Sequence, residues 1–401
     1  MADIVYPVNL RFPMERANSI QIIQTCHALA RAGERVTLLV RGGKDPAGEA
    51  ESLAYYGLSP HPNLRIARLP VLPPGAPARL RNRAFLIALG LACLRRALIP
   101  LGGGRPDAFF ARDDGVARML ITLRPLHRVP VVFEMHHLSH LFLAIRHEMY
   151  PDSPPVAKDL IERQKRIDRN LYRKADAVLC VTEALREMLI ETFGARTNLH
   201  VVRNGVHLPA GGGARRPDRA TIAYVGQLYP WKGVDALVQA MAKLPDARLE
   251  VIGGLPYEPD IARLEAFSES IGVASRVAFR PFMPHGELAS QMARATVTAV
   301  PLPESVYARI FTSPLKIFEA MASGIPVVAS DLPAIREVVR NGSNGLLVPP
   351  GDPDALAAAL RRIIDDPALA ASLARQARAD VASFTWDRRA GRIRGVLESL
   401  S

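Results

Sequence analysis

Residues 312–331, Thr-Ser-Pro-Leu-Lys-Ile-Phe-Glu-Ala-Met-Ala-Ser-Gly-Ile-Pro-Val-Val-Ala-Ser-Asp, constrain the fold of this chain more than any other stretch. The pattern predicts a helix, a glycine stop and a short buried strand. Ser313 can cap the helix, and Pro314 suits the first helical position, where no N–H is needed. Gly324 ends the helix, and 325–329 is the apolar run of a parallel strand. Lys316 and Glu319 are the helix's charged residues, three apart and so on one face. Leu315, Ile317, Phe318, Ala320, Met321 and Ala322 are apolar nearly all the way round, which predicts a buried helix. A polar stripe on a buried helix points into a cleft. Lys316 near the positive helix end would suit a diphosphate. Glu319, about 4.5 Å further along the axis, could accept hydrogen bonds from paired ribose hydroxyls. The same residues also read as a plain Lys316–Glu319 pair on a core helix, and the stretch alone leaves both readings open.

Residues 316–329 resemble the signature of family-four glycosyltransferases of the GT-B fold. The family's usual form has two glutamates separated by seven residues. Glu319 matches the second, Phe311 stands where the first would be, and Glu304 lies too far upstream to replace it. The run Ser-Pro-Leu-Lys over 313–316 looks like a subgroup of that family. The resemblance implies two Rossmann-like, doubly wound parallel-sheet α/β domains facing a cleft. It also implies retaining transfer from a nucleoside-diphosphate sugar without a metal ion or other cofactor. Donor contacts would then include Ser313, Leu315, Lys316 and Glu319.

At 401 residues two domains are expected, each long enough to bury a core. Cys26, Cys93 and Cys180 are too far apart for a disulfide framework or a metal cluster, which fits a reducing cytoplasm. Residues 2–8 are too short for a signal peptide. The longest apolar run, 84–94, is too short to span a bilayer. The net charge of +12 is uneven: residues 1–105 carry fourteen Lys/Arg against six Asp/Glu. Such a patch could face anionic lipid, nucleic acid or a polyanionic acceptor, or be a solvated arginine-rich surface.

Strand 3–8, loop 9–18, helix 19–32 and strand 36–40 open a doubly wound sheet, whose ligands sit outside the carboxyl ends of strands. There is no Gly-x-Gly-x-x-Gly, so the dinucleotide fingerprint is missing. The loop resembles the family's N-terminal donor and acceptor loop, with Arg16 and Asn18 as candidate acceptor-side contacts; helix capping is the plain alternative for Asn18. Further strands are expected at 64–69, 107–111, 129–135, 177–181 and 199–203. Helix 79–98 sets Arg79, Arg83, Arg95 and Arg96 around Leu80, Phe85, Leu86, Ile87, Leu91 and Leu94. It either lies on an anionic membrane surface or packs its apolar set on the sheet, and the need to bury one face favours packing. His136 and His137 follow strand 129–135. By resemblance His136 contacts the donor sugar, and His137 is placed on the acceptor side. His136, His137 and His140 could instead bind metal, but no carboxylate or cysteine stands at a convincing fourth position.

Val202-Arg-Asn-Gly-Val206 resembles the run that leads into the family's second domain, and the Gly/Pro-rich segment 209–217 reads as a linker. The expected domains are 1–207, joined by a returning helix 386–401, and 208–385. In the second, Gly226 allows close backbone approach to a ligand. Gln227 replaces the family's usual arginine, while Lys232 matches its lysine. Phosphate charge would rest on Lys232, Lys316 and Arg309. By resemblance the loop leaving strand 276–282 holds the base, which makes Phe282 and Met283 candidates; either could equally be a core residue. No protein nucleophile is expected, because by resemblance the departing phosphate oxygen takes the acceptor's proton.

The reading is a GT-B glycosyltransferase acting on a nucleotide-sugar donor and an unknown acceptor. A lipid-linked acceptor at an anionic inner membrane surface is coherent with the basic first quarter. Two alternatives are a nucleotide-sugar epimerase of the same architecture and a basic nucleic-acid-binding protein on this scaffold. The second lacks aromatic–basic interleaving, so no nucleic acid is expected.

Overall fold

The alternation of apolar runs and helical patterns produces two parallel sheets. The computed structural model describes residues 1–14, 16–42, 48–73, 75–99, 104–150, 153–209, 220–254, 259–283, 288, 291–292, 294–313 and 315–400. The chain divides into a unit of Met1–Arg203 with Trp386–Ser401 and a unit of Asn204–Thr385. The predicted linker lies almost wholly outside the described residues, as does Pro314.

The first unit contains β1 (Asp3–Arg11), β2 (Arg35–Arg41), β3 (Leu64–Leu69), β4 (Ala108–Ala111), β5 (Val131–Met135), β6 (Ala177–Cys180) and β7 (Leu199–Val201). They pair in parallel in the order β3-β2-β1-β4-β5-β6-β7. β4, β5 and β6 are buried throughout, as strands covered on both faces must be. β1 runs three residues beyond the predicted 3–8, because Arg11 pairs with Arg41 after a register shift. The helix Ala17–Arg31 starts before the predicted 19, so Asn18 lies in its first turn and not in a loop. The returning helix is Trp386–Glu398, and it packs on Ala17–Arg31.

The helix Ala78–Leu98 buries one face, as its sequence favours, but leaves part of its apolar set outside. Phe85, Leu89, Cys93 and Ala97 form its buried face. Leu80, Ile87, Leu91 and Leu98 instead face solvent, Ile87 at 65% and Leu91 at 62% exposure. At 100° per residue these four fall on one line, with Arg83 on one side and Arg95 on the other. The helix has more apolar residues than one buried face can take.

The second unit contains β8 (Thr221–Val225), β9 (Arg248–Ile252), β10 (Val277–Arg280), β11 (Val297–Val300), β12 (Val327–Ser330) and β13 (Leu346–Val348). Their order is β10-β9-β8-β11-β12-β13, all parallel. Side chains alternate between two cores. Ile222 and Tyr224 join Leu237 and Leu356 on one face, while Ala223 and Val225 join Phe318 and Met321 on the other. In both sheets the strand order reverses beside the first strand, β1 next to β4 and β8 next to β11, which is where such folds bind ligands.

Candidate functional site

In the second unit the loops leaving the strands are tied to one another by backbone. Gly226 N donates to Ile252 O at 2.9 Å, Gly253 N to Arg280 O at 2.9 Å, and Phe282 N to Gly254 O at 3.0 Å. A Cβ on Gly253 would stand 1.8 Å from Gly226 O, so the backbone that Gly226 meets closely is that of Gly253. Gln227 is half-buried, and its carbonyl accepts from Tyr224 Oη at 2.7 Å. The turn Pro230–Lys232 ends at Gly233, whose φ is +73° and whose added Cβ would lie 1.8 Å from Pro301 O. That contact joins the β8 exit to the β11 exit at the reversal point. Lys232 Nζ sits 5.2 Å from the Tyr307 ring centroid, a cation–π contact. Tyr307 opens a π-helical turn, Tyr307–Phe311, a rare form that recurs at functional sites.

Next comes the helix Leu315–Ala322, in which every residue except Lys316 and Glu319 is buried. Lys316 Nζ lies 3.3 Å from Glu319 Oε2, with side chains 23% and 13% exposed. The pair required by the plain reading is therefore present, on the polar stripe required by the functional one. The Ser313 carbonyl accepts from Asn204 Nδ2 at 3.1 Å, and Leu315 is buried. Arg309 points to solvent and pairs with Glu304 at 2.7 Å. Phe282 is half-buried, and Met283 packs on the unit's core.

In the first unit His136 and His137 follow β5 directly. His136 Nε2 is 2.9 Å from Glu134 Oε1. Burial, then the Arg112 guanidinium, push the His136 imidazole down to about 4, so it is neutral at pH 7. Glu134 is fully buried. Burial would raise its carboxyl, but Arg389 and then His136 outweigh that and hold it well below the usual carboxylate range. His137 is likewise lowered to about 4 by burial and Arg112. Its Nε2 lies 3.3 Å from Ser139 Oγ, which donates to Asp114. Burial raises Asp114 to about 6. His140 turns away to Asp168 at 2.7 Å. Among the described residues no group of three His, Cys, Asp or Glu side chains is placed to hold a metal ion. Arg16 is exposed at the start of helix Ala17–Arg31, and Asn18 Oδ1 accepts from Ser19 N at 2.9 Å.

Sequence reasoning missed Glu134 and Arg389. Glu134 had a signal: a lone carboxylate in Val-Val-Phe-Glu-Met, a run that otherwise reads as a fully buried strand. Arg389 had none, being one of several arginines in its helix.

Both halves of the chain match known families. Residues 19–209 match the family described as Glycosyltransferase Family 4, and residues 219–366 match Glycosyl transferases group 1. A D-inositol 3-phosphate glycosyltransferase of Xylanimonas cellulosilytica is 32% identical over 280 residues, 65% of this chain and 64% of the relative, so the match spans just under two thirds of that protein. Glycogen synthase of Mycobacterium tuberculosis is 31% identical over 317 residues, 76% of this chain and 72% of that one. Among solved structures, Anabaena HepE in complex with UDP and glucose has a TM-score of 0.74 at 18% identity, covering 100% of both chains.

Proposed function

The chain belongs to the group 1 glycosyltransferases of the GT-B fold, and we propose that it moves a sugar from a nucleoside-diphosphate donor to an acceptor hydroxyl, with retention and without a metal ion. The observation that carries this reading is the Lys316–Glu319 stripe on a helix otherwise buried, directly downstream of the sheet's reversal point. HepE, whose structure holds UDP and glucose, supports the choice of donor class. Lys316 and Lys232 oppose the charge that grows on the leaving diphosphate. Glu319 accepts from ribose hydroxyls. The bond from the anomeric carbon to phosphate oxygen breaks, the acceptor oxygen bonds to that carbon on the same face, and the acceptor's proton passes to the departing phosphate oxygen. His136 positions the sugar, with Gly226, Gln227, Phe282, Met283, Ser313 and Leu315 shaping the donor's surroundings. His137, Arg16 and Asn18 serve the acceptor.

A thermal-shift panel tests the donor. Ligand at a hundredfold excess over its Kd stabilises by about 2.7 kcal/mol, so the cognate nucleoside diphosphate and its sugar raise Tm while the bare nucleoside does not. No shift with any nucleoside diphosphate overturns the reading. Turnover that stops with chelator and returns with a divalent ion overturns the metal-free mechanism, and an inverted anomeric product overturns retention.

The acceptor side carries a second element of the proposal. The line Leu80, Ile87, Leu91, Leu98 between Arg83 and Arg95 suits an anionic lipid surface, and hence a lipid-linked acceptor. Among the described residues no helix is long and apolar enough to cross a membrane. The sequence has no acidic residue between Glu51 and Asp107, and Asp3 pairs with Arg96 at the end of this helix. Each basic residue near such a surface adds about 1 kcal/mol. The protein should sediment with anionic vesicles at low salt and not with neutral ones; indifference to both points to a water-soluble acceptor.

A further inference from the structure

The carboxylate of Glu134 gathers three donors from three elements onto one oxygen. Its Oε1 receives Arg389 Nη2 at 2.6 Å, Gln21 Nε2 at 2.8 Å and His136 Nε2 at 2.9 Å. Arg389 is itself 2% exposed. It donates also to Thr25 Oγ1 at 2.9 Å and to the carbonyls of Val202 at 2.7 Å and Arg203 at 3.1 Å. Neither Arg389 nor Gln21 has room to turn away, because both are enclosed by the packing of helix Trp386–Glu398 on helix Ala17–Arg31. A carboxylate paired with a guanidinium is ionised and can only accept hydrogen bonds. The imidazole nitrogen that faces it must therefore carry the proton. Nδ1 is then the nitrogen with the lone pair.

We propose that Glu134, anchored by Arg389 and Gln21, is a positioning residue that fixes His136 in the neutral Nε2–H tautomer, so that Nδ1 accepts a hydrogen bond from a hydroxyl of the donor sugar. The proposal rests on the reading of His136 as the residue that faces the sugar. In the opposite tautomer the ring would aim an N–H at that hydroxyl and its lone pair at a carboxylate, two mismatches at once. A purely structural ion pair would hold the helices together without choosing which nitrogen is protonated. That difference can be measured.

Histidines labelled with 15N, with His136 assigned by its loss in His136→Gln, report both ring nitrogens between pH 6 and 8. The expected result is protonated Nε2 and bare Nδ1 throughout. A dominant Nδ1–H form, or imidazolium at pH 7, overturns the proposal and requires no change to the network. In Glu134→Gln the tautomers should mix and kcat fall at least tenfold, while affinity for UDP stays within twofold. Arg389→Lys, which keeps a cation, should retain the tautomer and more of kcat than Arg389→Met. If His136→Gln abolishes transfer while Glu134→Gln keeps both tautomer and kcat, positioning is refuted and the sugar-facing role stands. If His136→Gln transfers at the wild-type rate, the sugar-facing role falls and takes this proposal with it.

Discussion

Replacing Arg389 with Met removes the guanidinium hydrogen-bonded to Glu134 while keeping most of the side chain's bulk. The structure sets the size of the effect. Both partners are essentially excluded from water, at 1% and 0% side-chain exposure, and Arg389 Nη2 lies 2.6 Å from Oε1. Breaking a buried pair from one side costs about 3–5 kcal/mol, because the remaining charge stays buried without a counterion. For a unit of this size each kcal/mol lowers Tm by about 2–4 °C, so scanning calorimetry at pH 7 should show the first unit melting roughly 6–20 °C lower. Acid then separates this mechanism from a simple packing loss. In the wild type Glu134 is held below its unfolded value, about 4.3, so its contribution is present above that value and fades as pH falls towards the lower folded one. In the variant burial dominates and the folded value rises above the unfolded one, so the deficit should shrink from pH 7 to pH 5. Adding Glu134→Gln should restore part of the loss by removing the stranded charge. A Tm within 2 °C of wild type, or a deficit equal at both pH values, refutes the argument.

Gly233→Ala should cost more than the left-handed strain of about 1–2 kcal/mol, because its Cβ meets Pro301 O; Gly272→Ala, with φ +72° and open space around it, should cost that strain alone in the same melting assay. Lys316→Ala and Lys232→Ala should each weaken, by about 1.5–3 kcal/mol, binding of the nucleoside diphosphate that shifts Tm, while leaving its nucleoside nearly unchanged in calorimetric titration. Equal losses for both ligands would make the lysines structural. His136 and His137 are lowered to about 4, so the stability they confer is present above the unfolded value, about 6.5, and lost as pH falls from there towards 4. Asp114, raised to about 6, works the opposite way, its contribution being full below the unfolded carboxylate value and lost as pH rises through 6. Replacing both histidines with Gln should flatten the decline of Tm over that range.

The parallel strands and the helix–glycine–strand core were legible because each is written locally, in apolar runs, stop residues and a two-charge stripe. Edges were less so. β1 continues to Arg11 because of its pairing with β2, which no local pattern encodes. Helix Ala78–Leu98 buries one face as expected but less of its apolar set than expected, for a related reason: periodicity shows that a helix has apolar residues, but the sheet decides how many it can cover. Phe85 and Leu89 are taken; Ile87 and Leu91 are left outside. In the candidate site Lys316 and Glu319 could be paired from spacing alone. The Glu134–Arg389 contact joins residues 255 positions apart and could be seen only once the chain had folded.

That separation has a temporal side. The arginine that completes the first unit lies beyond the whole of Asn204–Thr385 in chain order. At a synthesis rate of about 5–20 residues per second, the ribosome takes on the order of ten to forty seconds to reach it after Arg203 is made. Throughout that interval β5 can pair with its neighbours, but Glu134 has no guanidinium to meet. The nascent first half must then either leave that carboxylate wet or protonate it. The surface that later receives Trp386–Glu398 stays uncovered for the same period, offering apolar side chains to a chaperone. Synthesis of the first unit is finished only by the segment that follows the second.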